Sequence, residues 1–178
     1  MNNDIKRVAF TEVQIRKRVA ELGAEISRDY KGKNPLLICI LRGAVVFASD
    51  LLRAITIPAE IDFMALSSYG ASTVSSGIVK IKKDIDVDLK DRHLIIVEDI
   101  IDSGLTLDYL SKYLENHKPA SVKICTFLDK QESRKVDLKV DYIGFPVENE
   151  FVVGYGLDFA EKYRNLPYIG ILKEEIYT

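Results

Sequence analysis

Glu98, Asp99, Asp102, Ser103 and Thr106 crowd carboxylates and hydroxyls into one short stretch, directly after the apolar run His93-Leu94-Ile95-Ile96-Val97 and before a helical pattern. Such a stretch suits a sugar phosphate. If a helix opens there, the free backbone N–H groups of Ser103, Gly104, Leu105 and Thr106 can hold a phosphate at the positive end of its dipole, with two hydroxyls helping. Glu98 and Asp99, at the outer end of the strand, would repel that phosphate unless they accept hydrogen bonds from sugar hydroxyls or face a divalent cation. The pattern therefore points to a ribose phosphate with a metal nearby. The competing reading is an acidic turn followed by a capped helix, and the run alone does not choose between them.

The elements that must position this stretch can be read from periodicity. Thr11-Glu12-Val13-Gln14 has the form of a capping box, with Phe10 and Ile15 placed as a hydrophobic staple. A helix follows in which Ile15, Val19, Leu22 and Ile26 share one face, ending near Lys31-Gly32-Lys33-Asn34-Pro35. Leu36 to Leu41 is a buried strand, Arg42-Gly43 a tight turn, and Ala44 to Ala54 a second helix. Another strand is expected over Ile61 to Ser67, then a loop over 67–77 rich in Ser and Gly, read as a mobile segment able to close over a site. A strand begins near Ile78. His93 to Val97 is a strand, and the helix after the acidic run carries Leu107, Leu110 and Leu114 on one face. Ser121 to Leu128 and Val140 to Phe145 complete the set. Uninterrupted apolar strands alternating with helices imply an α/β fold with a mainly parallel sheet covered on both faces. Ligands in such sheets bind beyond the C-terminal strand ends, where the polar clusters fall.

The chain as a whole excludes several classes. Its 178 residues fit a single domain, and 47% hydrophobic with 29% charged residues is ordinary for a folded globular protein. A net charge of −2 argues against a nucleic acid as main partner. The polar start and the lack of any long apolar run argue against a membrane partner and lead to a cytoplasmic expectation. Cys39 and Cys125 each sit in an apolar run and read as buried reduced thiols. His93 and His117 lack Cys or His partners at metal-ligand spacing.

The strand, the acidic pair and Asp102-Ser103-Gly104-Leu105-Thr106 together resemble the phosphoribosyl diphosphate site of type I phosphoribosyltransferases. Leu41-Arg42-Gly43-Ala44, Ser68-Tyr69-Gly70, Phe127-Leu128-Asp129-Lys130 and Phe151-Val152-Val153-Gly154-Tyr155-Gly156-Leu157-Asp158, with Arg164 beyond, are similar to the hypoxanthine-guanine branch. These segments follow the family's order from about Leu36 to Gly170. The resemblance implies the following roles. Arg42 and the Gly43 backbone hold the diphosphate, after a peptide that can be cis in this family, and Arg164 reaches the same group. Ser68 and Tyr69 belong to the loop over the substrate. Glu98 and Asp99 take the ribose hydroxyls directly or through Mg2+, and Asp158 ligates Mg2+ or its water shell. Ser103, Gly104, Leu105 and Thr106 cradle the 5-phosphate. Lys130 donates to the purine 6-oxo group, Phe151 stacks on the base and the Val152 backbone reads its edge. Asp102 is the general base, taking the N7 proton as N9 attacks the anomeric carbon.

The implied activity is Mg2+-dependent transfer of the phosphoribosyl group to hypoxanthine or guanine, giving IMP or GMP. The implied partners are a 6-oxopurine and phosphoribosyl diphosphate, and the implied assembly is a homodimer or homotetramer. A small hood, mainly from residues 146–178 with the N-terminal segment, is expected over the base. Two alternatives stay open at this point. Similar domains act as nucleotide-sensing RNA-binding regulators, which the acidic balance and the Lys130 with Phe151-Val152 pattern disfavour. A xanthine-preferring enzyme would look much the same, because the purine 2-position is read largely by backbone.

Overall fold

The structure, a computed structural model, describes residues 1–68 and 79–178. The expected loop falls largely on residues 69–78, so Tyr69 and that loop lie outside the described residues. Two sheets organise the rest. The larger has the strands β2 (Leu36–Leu41), β3 (Glu60–Ser68), β4 (Val79–Lys83), β5 (His93–Ile101), β6 (Ser121–Asp129) and β7 (Tyr142–Pro146) in the order β4-β3-β2-β5-β6-β7. All neighbours are parallel except the edge pair of β3 and β4. The smaller sheet joins β1 (Ile5–Phe10) to β9 (Ile169–Leu172) and β9 to the short β8 (Val152–Val153), so the two chain ends share one antiparallel unit.

Apolar character on both faces of β2, β5 and β6 makes the larger sheet the centre of the molecule. Leu37, Cys39, Ile95, Val97, Cys125 and Phe127 point to a core shared with α1 (Glu12–Asp29) and α2 (Val45–Ala54). Leu36, Ile38, Leu94, Ile96 and Ile124 point the other way, to Leu107, Leu110 and Leu114 of α3 (Leu105–Glu115). Ile15, Val19, Leu22 and Ile26 are buried on α1, as their spacing predicts. The capping box is present: Thr11 N–H donates to Gln14 Oε1 at 2.9 Å, and Gln14 N–H donates to the Thr11 hydroxyl at 3.3 Å. Cys39 and Cys125 are free and buried.

Strand order fixes where a ligand can sit. The chain leaves β2 toward β3 on one side, with α2 on one face, and leaves β5 toward β6 on the other side, with α3 on the opposite face. The point between the C-terminal ends of β2 and β5 is therefore the switch point of the sheet, where no crossover covers the crevice. The Arg42-Gly43 turn and the acidic run emerge there.

Two boundaries differ from expectation. The strand expected to end at Val97 continues to Ile101, so Glu98 and Asp99 lie within β5 and not in a turn. Pairing with β2 stops at Val97, but pairing with β6 continues through Glu98 with Thr126 and Ile101 with Asp129. Glu98 still finds a partner on β6, whereas Asp99 has none in that register and its N–H instead donates to the Glu98 carboxylate at 3.0 Å before the pairing resumes at Ile100. β3 also runs one residue past its expected end at Ser67, with Ser68 opposite Val79.

No helix among the described residues is long and apolar enough to cross a membrane. Thr11→Ala should remove the α1 cap and lower the unfolding free energy by about 1 kcal/mol in urea titration. An unchanged midpoint would show that the cap contributes nothing to stability.

Candidate active site

At the switch point three segments meet where only backbone fits. A Cβ built on Gly43 would collide with the Asp99 carboxylate, and one built on Gly156 would collide with the Gly43 carbonyl oxygen. The glycines at 43 and 156 are thus required by close approach. They draw the turn after β2, the acidic end of β5 and the segment after β8 into one cluster. The Leu41–Arg42 peptide at the head of this turn is cis.

Behind the turn, Glu98, Asp99, Asp102, Ser103, Gly104 and Thr106 line a single cleft of about 210 Å³. Gly104 adopts the left-handed conformation, φ +80°, which a side chain would resist, and caps α3 with no side-chain acceptor. The first N–H groups of α3 are therefore left for another acceptor. Among the described residues, the Ser103 and Gly104 N–H groups likewise find no backbone acceptor. Only Leu105 N–H has a side-chain neighbour, the Ser103 hydroxyl at 3.5 Å. The arrangement is a concave set of donors at a helix N-terminus, suited to a phosphate. Asp102 is exposed at its rim, free to meet a ligand.

The acids behave as a coupled pair. Burial pushes the Glu98 carboxyl well above its ordinary range, and the adjacent Asp99 charge adds to the effect. Burial also raises Asp99, although the Ile100 N–H, at 2.7 Å from Oδ1, and the nearby Arg164 guanidinium favour its charged form. A pair held this way suits hydroxyl donors or a further cation that would share its charge.

Across the Gly43 turn lies a basic clamp. Arg164 Nη1 donates to the Gly156 carbonyl at 2.9 Å, while Nη2 pairs with Asp158 Oδ1 at 2.9 Å and Glu161 Oε2 at 3.3 Å. Arg42 Nη1 donates to Glu161 Oε1 at 3.0 Å. Glu161 therefore bridges the two arginines, a role no local spacing reveals because its partner Arg42 lies 119 positions away. Asp158 is engaged with Arg164 and with the Glu161 N–H at 2.9 Å. It does not join Glu98 and Asp99 in one cluster, and the described residues contain no group of three or more metal-type ligands.

Lys130 follows β6 directly, its N–H bonded to the Ile101 carbonyl at 2.9 Å, so it stands beside the end of β5. Phe151 precedes β8 and is 37% exposed; its ring stacks on Tyr177 at 4.7 Å with Phe159 edge-on at 5.5 Å. Val152 is buried in the small sheet. Ser68 closes β3. A wider cleft of about 670 Å³ lies between α1, α2 and residues 164–167, but of the expected residues it includes only Arg164, and its other arginines, Arg16 and Arg53, are paired with Glu12 and Asp50.

Comparison with known proteins gives one consistent result. A family model described as a phosphoribosyl transferase domain matches residues 11–160. The hypoxanthine-guanine phosphoribosyltransferase of Bacillus subtilis is 54% identical over 177 residues, covering 99% of this chain and 98% of the relative. That of Streptococcus thermophilus is 52% identical over 178 residues, covering 100% of this chain and 99% of the relative. Among solved structures, a hypoxanthine phosphoribosyltransferase from Staphylococcus aureus superposes with a TM-score of 0.97 at 45% identity, covering 100% of this chain and 97% of that one.

Because burial penalises the charged Glu98, its cost to folding is absent below the ordinary carboxylate range and grows as the pH rises from there toward the raised folded pKa. Glu98→Gln should therefore raise the unfolding free energy of the ligand-free protein by about 1 kcal/mol at neutral pH. Equal or lower stability of the variant would contradict the burial cost.

Proposed function

The chain belongs to the phosphoribosyl transferase family, and on that premise we propose that it is a purine salvage enzyme, a hypoxanthine-guanine phosphoribosyltransferase. It transfers the 5-phosphoribosyl group of phosphoribosyl diphosphate to N9 of hypoxanthine or guanine, giving IMP or GMP and diphosphate. The observation that carries this reading is the convergence at the switch point. A phosphate cradle, an acidic pair and a two-arginine clamp surround one spot, as a substrate with a phosphate at each end of a ribose requires.

In the mechanism, the donors at Ser103, Gly104, Leu105 and Thr106 take the 5-phosphate, and the ribose lies across Glu98 and Asp99. Arg42, the Gly43 backbone and Arg164 receive the diphosphate. To do so the arginines exchange Glu161 and Asp158 for phosphate oxygens, an exchange between anions that leaves each guanidinium paired. Lys130 donates to the 6-oxo group, the exposed part of Phe151 offers a stacking surface, and the backbone at Val152 faces the base edge. As N9 forms its bond to the anomeric carbon, the carbon–oxygen bond to diphosphate breaks and Asp102 takes the N7 proton.

The transition state is oxocarbenium-like, so positioned charges supply most of the acceleration. The coupled acids Glu98 and Asp99 fit a cation on the ribose side, and Asp158 fits one through its water shell. No three metal-type ligands group together among the described residues, so Mg2+ would be held mainly by substrate oxygens and water. When bound, Mg2+ supplies charge neutralisation for the leaving diphosphate.

The small sheet and its flanking turns form the hood over the base. The working assembly is a homodimer or homotetramer, and two free buried thiols suit a cytoplasmic setting. Hypoxanthine, guanine, xanthine, adenine and uracil, each assayed with phosphoribosyl diphosphate and Mg2+, test the reading: nucleotide should form from hypoxanthine and guanine. Product from uracil alone, or from none, would overturn it. Asp102→Asn should lower kcat roughly a hundred- to ten-thousand-fold while leaving the KM for phosphoribosyl diphosphate within a few-fold. A kcat close to that of the parent would remove Asp102 as the base.

A further inference from the structure

Arg134 lies outside every segment that carries the resemblance, yet it is wedged between the two parts of the site that must hold opposite ends of a nucleotide. Its side chain is 15% exposed and its guanidinium pairs through Nη2 with Asp129, which is 2% exposed at the last position of β6. Nη1 donates to the Leu138 carbonyl at 3.2 Å. The aliphatic part of the same side chain packs under the phosphate cradle: a Cβ on Gly104 would come within 2.8 Å of Arg134 Cδ and 3.1 Å of Val136 Cγ2. The next residue extends the contact, with Lys135 N–H donating to the Ser103 carbonyl at 2.9 Å.

On the other side, Asp129 is joined covalently to Lys130. Its carbonyl accepts from Val147 N–H at 3.0 Å, and Lys130 N–H reaches Ile101 at 2.9 Å. One side chain thus supports the cradle with its methylenes and grips the residue beside the base reader with its charge.

We propose that Arg134 is a positioning residue that fixes the spacing between the cradle at Ser103–Thr106 and Lys130, acting through Asp129 and touching neither substrate. The inference rests on the function proposed above. A nucleotide joins its base and 5-phosphate through a span that cannot stretch, so donors for the two ends must keep that span before binding. Displacing either by about 1 Å can cost a hundredfold in rate. A buried ion pair suits this task. Compared with apolar residues of similar size it adds little net stability, but its directed fork admits one geometry. Lysine at 134 could pair with Asp129 but could not also present a second planar donor to Leu138.

The test compares the parent protein with Arg134→Lys and with the double variant Asp129→Leu/Arg134→Met, which removes both charges together. Melting temperature is measured beside KM for hypoxanthine and for phosphoribosyl diphosphate. The double variant should melt within about 5 °C of the parent, since replacing a buried pair by apolar groups is often neutral. Both of its KM values should nevertheless rise by about tenfold or more, and kcat/KM should fall by about a hundredfold. Arg134→Lys should lie between the two.

A merely structural role would lower the melting temperature and leave both KM values of the folded protein unchanged. That outcome, in the double variant or in Arg134→Lys should the double variant fail to fold, overturns the proposal. A rise in one KM alone also overturns it, because the claim is about the span between two subsites. Absence of nucleotide formation by the parent counts against the proposed function, whereas an active parent with unaltered variants counts against Arg134 only.

Discussion

The contact of the Asp99 carboxylate with the backbone of Gly43 is the constraint on which the site depends. β2 and β5 are parallel neighbours, and their pairing ends at Cys39 and Val97. Past that point the strands would be free to diverge, one toward α2 and the other toward α3. Asp99 reaches across the opening to a position where no Cβ can stand, and Gly156 closes on the Gly43 carbonyl from the far side. The turn after β2, the acids of β5 and the segment bearing Asp158 and Arg164 are thereby held at one point by excluded volume, which tolerates far less play than an exposed ion pair. The switch point of the sheet supplies the crevice, and this packing gives it a fixed shape.

Electrostatics divide the crevice into two halves with opposite needs. At the end of β5, Glu98 and Asp99 are pushed toward protonation by burial, an energetic cost that folding alone does not relieve. Across the Gly43 turn, Arg42 and Arg164 are paired with Glu161 and Asp158. The acids are buried beside each other with Arg164 as a nearby charge, and the arginines carry replaceable negative partners. A substrate bringing hydroxyls, phosphates and a divalent cation together meets both needs at once. Stability is spent at this site in the way strained functional clusters commonly show.

Much of this was legible in the chain because the deciding signals are local. Apolar runs marked β2, β5 and β6, helical spacing marked the buried face of α1, and Thr11 with Gln14 marked its start. The run of free N–H donors at the start of α3 was legible because a helix N-terminus is built from consecutive residues. The end of β5 was misjudged because Glu98 and Asp99 look like a terminus, whereas pairing with β6 carries the strand past them. Glu161, Arg134 and Tyr177 left no local signal. Glu161 acts on Arg42 across 119 positions, Arg134 acts by packing under Gly104, and Tyr177 reaches Phe151 from the chain's last turn. Contacts made only by the fold have no periodicity to read.

The central claim is that one crevice, fixed by Asp99 on Gly43, holds both ends of the ribose at once. A crystal structure of the enzyme with IMP, diphosphate and Mg2+ tests it most directly. The 5-phosphate is expected on the N–H groups of Ser103 to Thr106, the base beside Lys130 and Phe151, and the diphosphate on Arg42, Gly43 and Arg164 with Glu161 displaced. Nucleotide or diphosphate bound instead in the wide cleft between α1 and α2, or an Arg42–Glu161 pair left intact beside bound diphosphate, would contradict it.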